Sequence, residues 1–572
     1  MSPFYTCQHL LRQSNYCLLI LPLFVIVPFV HNNPDDVSVG VSKQDTVDHA
    51  RPTKAYRVFW PLSIRVNIPN LDLVVYDKNP EVGGTGSHIP AHVYQATFES
   101  NPNWSEFYAS SKEILQYWKD IVAKYGVRKY MKRNHKVVEA RFNDAKAKWH
   151  VQIENCPTGG LINDTCDVLY GCIGALNDWK WPDIPGLFDL KGKLVHNVGG
   201  LSVAVIGAGS SAIQIVPAIQ PKVKHLDNYV RGQTWIAPPV AEAEVRKHTP
   251  TGSNFQYSPE ELEEFNKNPD RLREYRKRLD GEVQLMTQFL LRGELSNQAT
   301  ATFTQSMRKK LAKRPDIFEK ILPSFAPGCR RITPGPGYLE ALTENNVSFV
   351  TDPISRVTED GILTADGKLR KVDAVICATG FDTSFSPRFP IYGSGNLNLG
   401  AKWKEHPETY LSLSTHGVPN YFVAHGPNSG VGTGSLVIVL ERTCDYVAAI
   451  IAKLQRDRIA TIQPKPDACM AFRGYCERFF RKTVFSMSCR SWYKRGTEDG
   501  PVTALWPGSC LHFAKVLENP RFEDYEYTYL DGRDMAWMGN GFTTPELDAS
   551  VPASAYLDPE HSDYPSVPAQ SN

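Results

Sequence analysis

The sequence predicts an α/β fold that carries a helical insertion, and three observations support this. Short apolar runs have the length and composition of buried strands, and they lie at residues 71–77, 203–206 and 372–377. The last two runs meet turns at Gly207 and Gly380. Residues 258–325 are charged and rich in helix signals, beginning with the capping sequence Ser-Pro-Glu-Glu. Strands that alternate with helices around glycine turns are typical of α/β proteins.

Other elements follow from local patterns. A helix is predicted where apolar residues recur at spacings of three and four, namely Ile114, Leu115, Trp118, Ile121, Val122 and Tyr125. Gly126 is placed to end this helix. Residues 149–153 alternate like a half-buried strand, and residues 167–170 resemble another. The tail after residue 543 is rich in Pro, Ser and Asp and is predicted to be disordered.

Size and charge restrict the function. The 572 residues allow two to four domains, and the net charge of +2 comes from interspersed acids and bases. No polybasic surface for nucleic acid is therefore expected, and small molecules are the expected partners. The twelve cysteines include no Cys-x-x-Cys pair. This pattern fits neither a zinc site nor a disulfide scaffold, so reduced thiols and a cytoplasmic location are expected.

Residues 16–30 form an apolar run of unusual composition near the amino terminus. The run is shorter than the ~20 residues that span a bilayer, and Pro22 and Pro28 would disrupt a helix in it. No small-residue cleavage site follows it. Three interpretations stay open: a tail that does not span a bilayer or that lies at its interface, a membrane anchor, and a cleaved signal. Membrane contact is not the favoured one.

The clearest motif is a dinucleotide-binding turn at residues 207–212, which follows a predicted strand and precedes a predicted helix. The first glycine permits the tight turn, the second lets the backbone approach a pyrophosphate, and the small third residue lets the helix pack on the strand. Phosphate then binds the free N–H groups at the helix start. The predicted contacts are Gly207, Gly209, Ser210, Ser211, Ala212 and Gln214.

The identity of the dinucleotide follows from the next predicted strand, residues 226–230. This strand ends in Arg231 rather than in an acid. An acid there would bind the ribose 2′-hydroxyl of NAD, whereas a guanidinium suits the 2′-phosphate of NADP. NADPH is therefore the predicted cofactor at this turn.

Four motifs occur in an order that resembles a known family: Gly83-Gly84-Thr85, the turn at 207–212, Ala-Thr-Gly-Phe-Asp at 378–382 and Gly-Pro-Asn-Ser at 426–429. The sequence resembles the Baeyer–Villiger-type FAD-dependent monooxygenases, in particular the fungal branch of secondary metabolism that includes sterigmatocystin- and aflatoxin-type pathways. The resemblance implies two Rossmann-like domains, one for FAD and one for NADP. It also implies that NADPH reduces FAD, that O2 forms a C4a-peroxyflavin, and that one oxygen atom is inserted into an apolar ketone.

The resemblance also implies site residues and domain limits. Arg331 would be the catalytic arginine that stabilises the peroxide, Arg330 a contact to NADP phosphate, and Trp492 part of a mobile loop over NADP. The FAD contacts would be Asp77, Gly83, Gly84, Thr85, Tyr94, Gly380, Phe381 and Asp382. No metal is expected. The expected segments are a tail and linker at 1–55, FAD-domain parts at 56–200 and 326–543, an NADP domain at 201–325, and a disordered tail at 544–572.

The amino-terminal part departs from the family pattern. Family members carry a first glycine turn about thirty residues before the strand at 71–77, but here no glycine occurs between Gly40 and Gly83. His88 stands where the resemblance places an aspartate that partners the catalytic arginine. These departures suggest missing or misjoined coding segments, or a decayed copy, rather than gradual drift toward a new function. Two alternatives stay open: a related flavin monooxygenase that hydroxylates or oxidises nitrogen or sulfur, and a catalytically inactive NADP-binding protein.

Overall fold

A computed structural model describes the architecture of the chain. It describes residues 5–6, 23–27, 68, 71–83 and 89–558, with gaps at 175, 177, 193–197, 251, 533–534, 536–537, 549 and 551. Within these residues the α-helices are Ser111–Lys124, Ser210–Ile219, Glu242–His248, Pro259–Lys267, Pro269–Leu285, Glu294–Lys310, Pro315–Ile321, Tyr338–Ala341, Leu399–Lys402, Leu436–Arg456, Pro466–Phe480, Cys510–Val516 and Thr544–Leu547. Two five-stranded sheets organise them, and we call these sheet A and sheet B.

Sheet B contains the strand before the dinucleotide-binding turn. Its strands are all parallel, and their order is Tyr5–Thr6, Ala374–Cys377, Ser202–Ile206, His225–Tyr229 and Val347–Val350. Ala374–Cys377 pairs directly with Ser202–Ile206. Sheet B therefore contains strands from both sides of the domain limit that was expected near residue 325. Sequence order alone could not show this pairing, since the two strands are more than 160 residues apart.

Sheet A has one strand that runs against the others. Its order is Tyr421–Val423, Val168–Cys172, Leu23–Val27, Val74–Asp77 and Met131–Arg133. Leu23–Val27 is antiparallel to both of its neighbours, while the remaining pairings are parallel. Five residues of the apolar run at 16–30 thus form a central strand, which none of the three interpretations from the sequence anticipated. No described helix is long and apolar enough to cross a membrane.

Smaller sheets complete the fold. A four-stranded sheet has the order Ile391–Tyr392, His135–Asn143, Lys148–Asn155 and Leu161–Cys166. The others combine Ile354–Thr358, Gly361–Thr364 and Leu369–Lys371, then Ile236–Ala237 with Thr333–Pro334, and Ile459–Pro464 with Tyr525–Tyr529. In the four-stranded sheet Trp149, Val151 and Ile153 are buried while His150 is exposed. The predicted alternation of this strand is therefore confirmed.

Local signals also held at helix ends. Helix Ser111–Lys124 is followed by Gly126 in the left-handed region, with φ of 65°. Helix Pro259–Lys267 begins with a capping box, because Ser258 Oγ accepts from the Glu261 N–H at 3.2 Å and Glu261 Oε2 accepts from the Ser258 N–H at 2.8 Å. Within the tail predicted to be disordered, the described residues include the short helix Thr544–Leu547; disorder of the tail stays a prediction.

One prediction about the cysteines was wrong. Cys329 and Cys489 form a disulfide, with their Cα atoms 6.5 Å apart and a sequence separation of 160. Both residues are almost completely buried. Spacing patterns detect cysteines that are near in sequence, and this pair meets only through the tertiary fold.

Candidate functional site

The predicted dinucleotide-binding turn has the geometry that phosphate binding requires. Helix Ser210–Ile219 has Gly209 as its N-cap, and no side chain occupies the free N–H groups there. A Cβ atom at Gly209 would meet nothing within 4 Å, so the turn is open on that side. Gly207 has φ of 129°, and a Cβ there would lie 2.5 Å from the Ala378 carbonyl oxygen. Gly207 is thus required for packing, and Gly209 leaves room for a pyrophosphate.

Three neighbouring residues complete this turn. Ala212 is fully buried against the strand, as the small third residue of the motif should be. Gln214 donates from Nε2 to the Ser210 carbonyl at 2.6 Å, and its buried Oε1 has no partner among the described residues. Ser211 is at the second position of the helix. The residues present therefore fit a dinucleotide.

Arg231 and Arg330 lie close enough to influence each other. Arg231 follows strand His225–Tyr229 and is exposed. Arg330 donates from Nη1 to the Gln233 carbonyl at 2.8 Å and stacks over Phe325 at 5.0 Å. Burial lowers the pKa of Arg330, and the like charge of Arg231 lowers it further. Such a pair of guanidinium groups suits a phosphate that carries about two negative charges.

Arg331 faces a cavity of about 970 Å³, counting the space open to solvent, which we call the arginine cavity. Among the described residues that line it, Arg331 is the one that carries a fixed charge. Most of the others are apolar, including Ile89, Val240, Val283, Met286, Ile332 and Leu436. Thr333 lines the cavity and its Oγ1 lies 2.7 Å from Ser210 Oγ. The cavity therefore adjoins the start of the dinucleotide-binding helix.

The polar groups beside Arg331 are neutral. Burial and the charge of Arg331 lower the pKa of His425 to about 4, while burial raises those of Tyr94 and Tyr493 to about 12. Ser429 Oγ lies 2.5 Å from the Gly426 carbonyl, which can only accept, so the hydroxyl donates there. His425 Nδ1, 2.9 Å from Ser429 Oγ, must then donate its proton, and Nε2 is left as an acceptor.

Residues 487–498 form a compact loop, the tryptophan loop, which covers the arginine cavity with Trp492 and Tyr493. Lys494 is buried inside it and donates from Nζ to the carbonyls of Met487, at 2.7 Å, and Glu498. Cys489 ties the loop to Cys329, the residue before the arginine pair. The sequence predicted a role for Trp492, but it did not predict the disulfide that joins this loop to Cys329.

Two of the predicted FAD contacts, Asp77 and Gly83, lie at or just after the end of strand Val74–Asp77. Asp77 is buried, accepts from the Asn79 N–H at 2.9 Å, and keeps Oδ2 without a partner among the described residues. Burial raises the pKa of this carboxyl group to about 6. Gly83 has φ of 149°, and a Cβ there would lie 2.6 Å from Leu115 Cδ1. Gly84, Thr85 and His88 lie outside the described residues.

The segment from Gly380 to Asp382 follows strand Ala374–Cys377 of sheet B. Gly380 has φ of 98° and is exposed, and Phe381 is half-buried. Asp382 pairs with Arg388 at 3.1 Å. The segment follows the carboxyl end of sheet B, and it also reaches the end of strand Val74–Asp77. The Asp382 N–H donates to the Asp178 carbonyl at 2.8 Å, and Asp178 pairs with Lys78, the residue after Asp77, at 3.7 Å.

Comparisons with known proteins decide the family. The chain matches no protein-family profile. It is 37% identical over 507 residues to the FAD-binding monooxygenase tazF of Aspergillus terreus, covering 85% of this chain and 90% of that protein. It is 34% identical to the FAD-binding monooxygenase stcW of Emericella nidulans, covering 84% and 82%. The chain belongs to the FAD-binding monooxygenases.

Solved structures agree with this membership at the level of the fold. The closed structure of a cyclohexanone monooxygenase matches with a TM-score of 0.68 and 23% identity, covering 80% of this chain and 94% of that one. The cyclohexanone monooxygenase of Rhodococcus sp. Phi1 bound to NADP+ matches with a TM-score of 0.70, covering 82% and 96%. The expected family and the fold of two dinucleotide-binding domains are confirmed.

One part of this monooxygenase does not fit FAD. A Rossmann unit places its glycine turn after the first strand, at the carboxyl edge of the parallel strands. Here Val27 pairs with Val168, at the opposite edge of sheet A from Asp77, because Leu23–Val27 is antiparallel. No glycine occurs in the sequence between Gly40 and Gly83. Asp77 thus fits an adenosine ribose, but the described residues provide no cradle for the FAD pyrophosphate.

Proposed function

We propose that the chain is an FAD- and NADPH-dependent monooxygenase that transfers one oxygen atom from O2 to an apolar ketone. The arginine cavity carries this proposal, because it places a single fixed cation in apolar surroundings next to a dinucleotide-binding turn. Family membership supports it, and relatives such as the Pseudomonas aeruginosa Baeyer–Villiger monooxygenase, 29% identical over 80% of this chain, point to the same chemistry. The fungal relatives support a role in secondary metabolism.

The side chains of the cavity have separable roles in this proposal. FAD, when bound, supplies the reduced flavin that activates O2. Arg331 provides a fixed positive charge for the oxygen that gains negative charge during transfer. His425, Tyr94 and Tyr493 are neutral, so they do not offset the positive charge of Arg331. Trp492 covers the cavity and excludes water, and the apolar lining favours a ketone without charged groups.

The test begins with the purified full chain, which is assayed with FAD in excess throughout, so that weak flavin binding does not limit the reaction. We expect NADPH oxidation to be faster with a cyclic or aryl ketone than without it, and we expect the product to gain the mass of one oxygen atom. An amine or sulfide that gains oxygen where no ketone does would favour the related monooxygenase that oxidises nitrogen or sulfur. NADPH oxidation that yields only hydrogen peroxide with every ketone would contradict the proposal.

The described residues show no pyrophosphate cradle beside Asp77, and this observation supports a second candidate function. In this candidate the chain binds NADP(H) at Gly207–Ala212 and holds no flavin, so it does not oxygenate a substrate. The two candidates differ in one measurement, since a colourless protein that binds NADP+ but takes up no FAD supports only the second. We also propose a cytoplasmic location, because NADPH is available there, and cell fractionation tests this.

A further inference from the structure

The tryptophan loop behaves as one body, because its own hydrogen bonds close it. The Ser491 N–H donates to the Thr497 carbonyl at 3.2 Å, and Arg490 Nε donates to the Gly496 carbonyl at 2.8 Å. Lys494 Nζ holds both ends of the loop from within. The position of Cys489 therefore fixes the position of Arg490 as well as that of Trp492.

The disulfide limits the distance between Arg490 and Arg330. Each arginine directly follows one of the bonded cysteines, whose Cα atoms are 6.5 Å apart. Successive Cα atoms are about 3.8 Å apart, so the Cα atoms of the two arginines are at most about 14 Å apart. Two arginine side chains can meet at one phosphate over that distance. In agreement, the charges of both Arg231 and Arg490 lower the pKa of Arg330, after the larger effect of burial.

This group of cations lacks balancing charge. Glu498 is the acid that acts on Arg330, and it accepts a hydrogen bond from Ser488 Oγ at 3.1 Å. Lys494 and Asp499 belong to the same group of described charges, so three arginines and one lysine face two carboxylates, and the net charge is about +2. Arg330 also keeps its buried Nε without a partner among the described residues. The group lies past the end of strand His225–Tyr229, where the Gly207 N–H donates to the Tyr229 carbonyl at 2.9 Å.

We propose that Arg490 is a third arginine for the 2′-phosphate of NADP(H), and that the tryptophan loop therefore distinguishes NADPH from NADH. This inference rests on the proposed NADP site at Gly207. The consequence is that one rigid loop performs two tasks. It covers the arginine cavity through Trp492, and it contacts the far end of the cofactor through Arg490. A cofactor without the 2′-phosphate would lose that contact, and the loop would be held less firmly over it.

The test compares two small nucleotides that differ only in the 2′-phosphate, adenosine 2′,5′-bisphosphate and adenosine 5′-monophosphate. Calorimetry measures the binding of each to the full chain and to three variants. We expect Arg490→Gln to lower the affinity for the bisphosphate about tenfold, which is typical of the loss of one charge-assisted hydrogen bond at an exposed position. Binding of the monophosphate should change less than about twofold. Arg490→Lys, which keeps the charge but lacks the guanidinium fork, should give an intermediate loss.

Arg478→Gln is the matched control, since it removes an exposed arginine from helix Pro466–Phe480. Equal losses for both nucleotides in Arg490→Gln would overturn the inference and assign Arg490 a role in loop structure. So would an unchanged affinity, or an equal loss in Arg478→Gln. If the unaltered chain bound neither nucleotide, the NADP site itself would be refuted. Neither flavin nor ketone is needed, so failure of the monooxygenase activity alone would leave this result intact.

Discussion

At the scale of single residues, the surroundings of Arg331 determine what its charge can do. No acid occurs in the sequence between Glu81 and Glu99, where the family resemblance places the partner of this arginine. Among the described residues Arg331 makes no ion pair, and its neighbour His425 stays neutral because its pKa is lowered to about 4. An uncompensated cation in an apolar cavity interacts strongly with a developing negative charge.

We expect Arg331→Met to lower the rate of ketone oxygenation by about 10²–10³-fold, the cost of losing one such electrostatic contact. The affinity for adenosine 2′,5′-bisphosphate should change less than about threefold, because Arg331 faces the arginine cavity. Product formation by mass spectrometry and nucleotide binding by calorimetry measure the two effects, with Arg478→Gln as the control. Equal losses of binding and oxygenation would instead indicate a damaged fold.

His92 makes the stability of the fold sensitive to acid. It is buried among the rings of Tyr257, Phe265 and Tyr275 at 5.3–5.4 Å, and both ring nitrogens lack partners among the described residues. Burial lowers its pKa to about 3. In the unfolded chain His92 is therefore protonated below about pH 6.5, whereas in the folded chain it stays neutral until about pH 3. Stability should fall as the pH drops from about 6.5 towards 3, by at most ~1.4 kcal/mol per pH unit.

Urea unfolding at several pH values measures this slope. We expect His92→Phe to flatten it, while the same change at exposed His150 leaves it as it is in the unaltered chain. His425, with its pKa near 4, adds a further contribution of the same sign. The interpretation fails if His92→Phe and the unaltered chain lose stability equally between pH 6.5 and pH 4.

At the scale of elements, the turn before helix Ser210–Ile219 offers a matched pair of substitutions. Gly207→Ala places a Cβ 2.5 Å from the Ala378 carbonyl in a backbone with φ of 129°, so we expect a loss of about 1–3 kcal/mol in stability. Gly209→Ala meets no atom and has φ of −85°, so stability should be unchanged. Its methyl group should nevertheless lower the affinity for NADP+, because it occupies the space predicted for the pyrophosphate. Unfolding curves and calorimetry distinguish these effects, and normal NADP+ binding by Gly209→Ala would be the contradictory result.

The sequence predicted those elements whose signals are local. Helix Ser111–Lys124 and the capping box at Ser258 depend on residues within one or two turns, and both were found. The pairing of Ala374–Cys377 with Ser202–Ile206 and the Cys329–Cys489 bond depend on contacts between distant residues. His425 was missed because nothing around it in sequence indicates a cavity, although it directly precedes the Gly-Pro-Asn-Ser motif.

At the scale of the whole molecule, the two nucleotide sites should differ in strength. The site at Gly207 has a complete turn, whereas the described part of sheet A provides Asp77, the predicted ribose contact, and no pyrophosphate cradle. We expect FAD to be lost during gel filtration while adenosine 2′,5′-bisphosphate still binds the flavin-free protein. The ratio of flavin absorbance to protein absorbance after the column measures this. Retention of one FAD per chain would contradict the expectation and show that another segment holds the pyrophosphate.

The disulfide between Cys329 and Cys489 makes the covalent structure of the protein depend on how the protein is prepared. Because it joins the arginine pair to the tryptophan loop, a preparation made with a strong reductant and one made without it are different molecules at the same sequence. Disulfides are uncommon in the cytoplasm, where NADPH is used. The protein in the cell and the protein purified in air can therefore differ in this bond, which connects the arginine pair with the tryptophan loop. The number of free thiols in the fresh protein should be measured before any two preparations are compared kinetically.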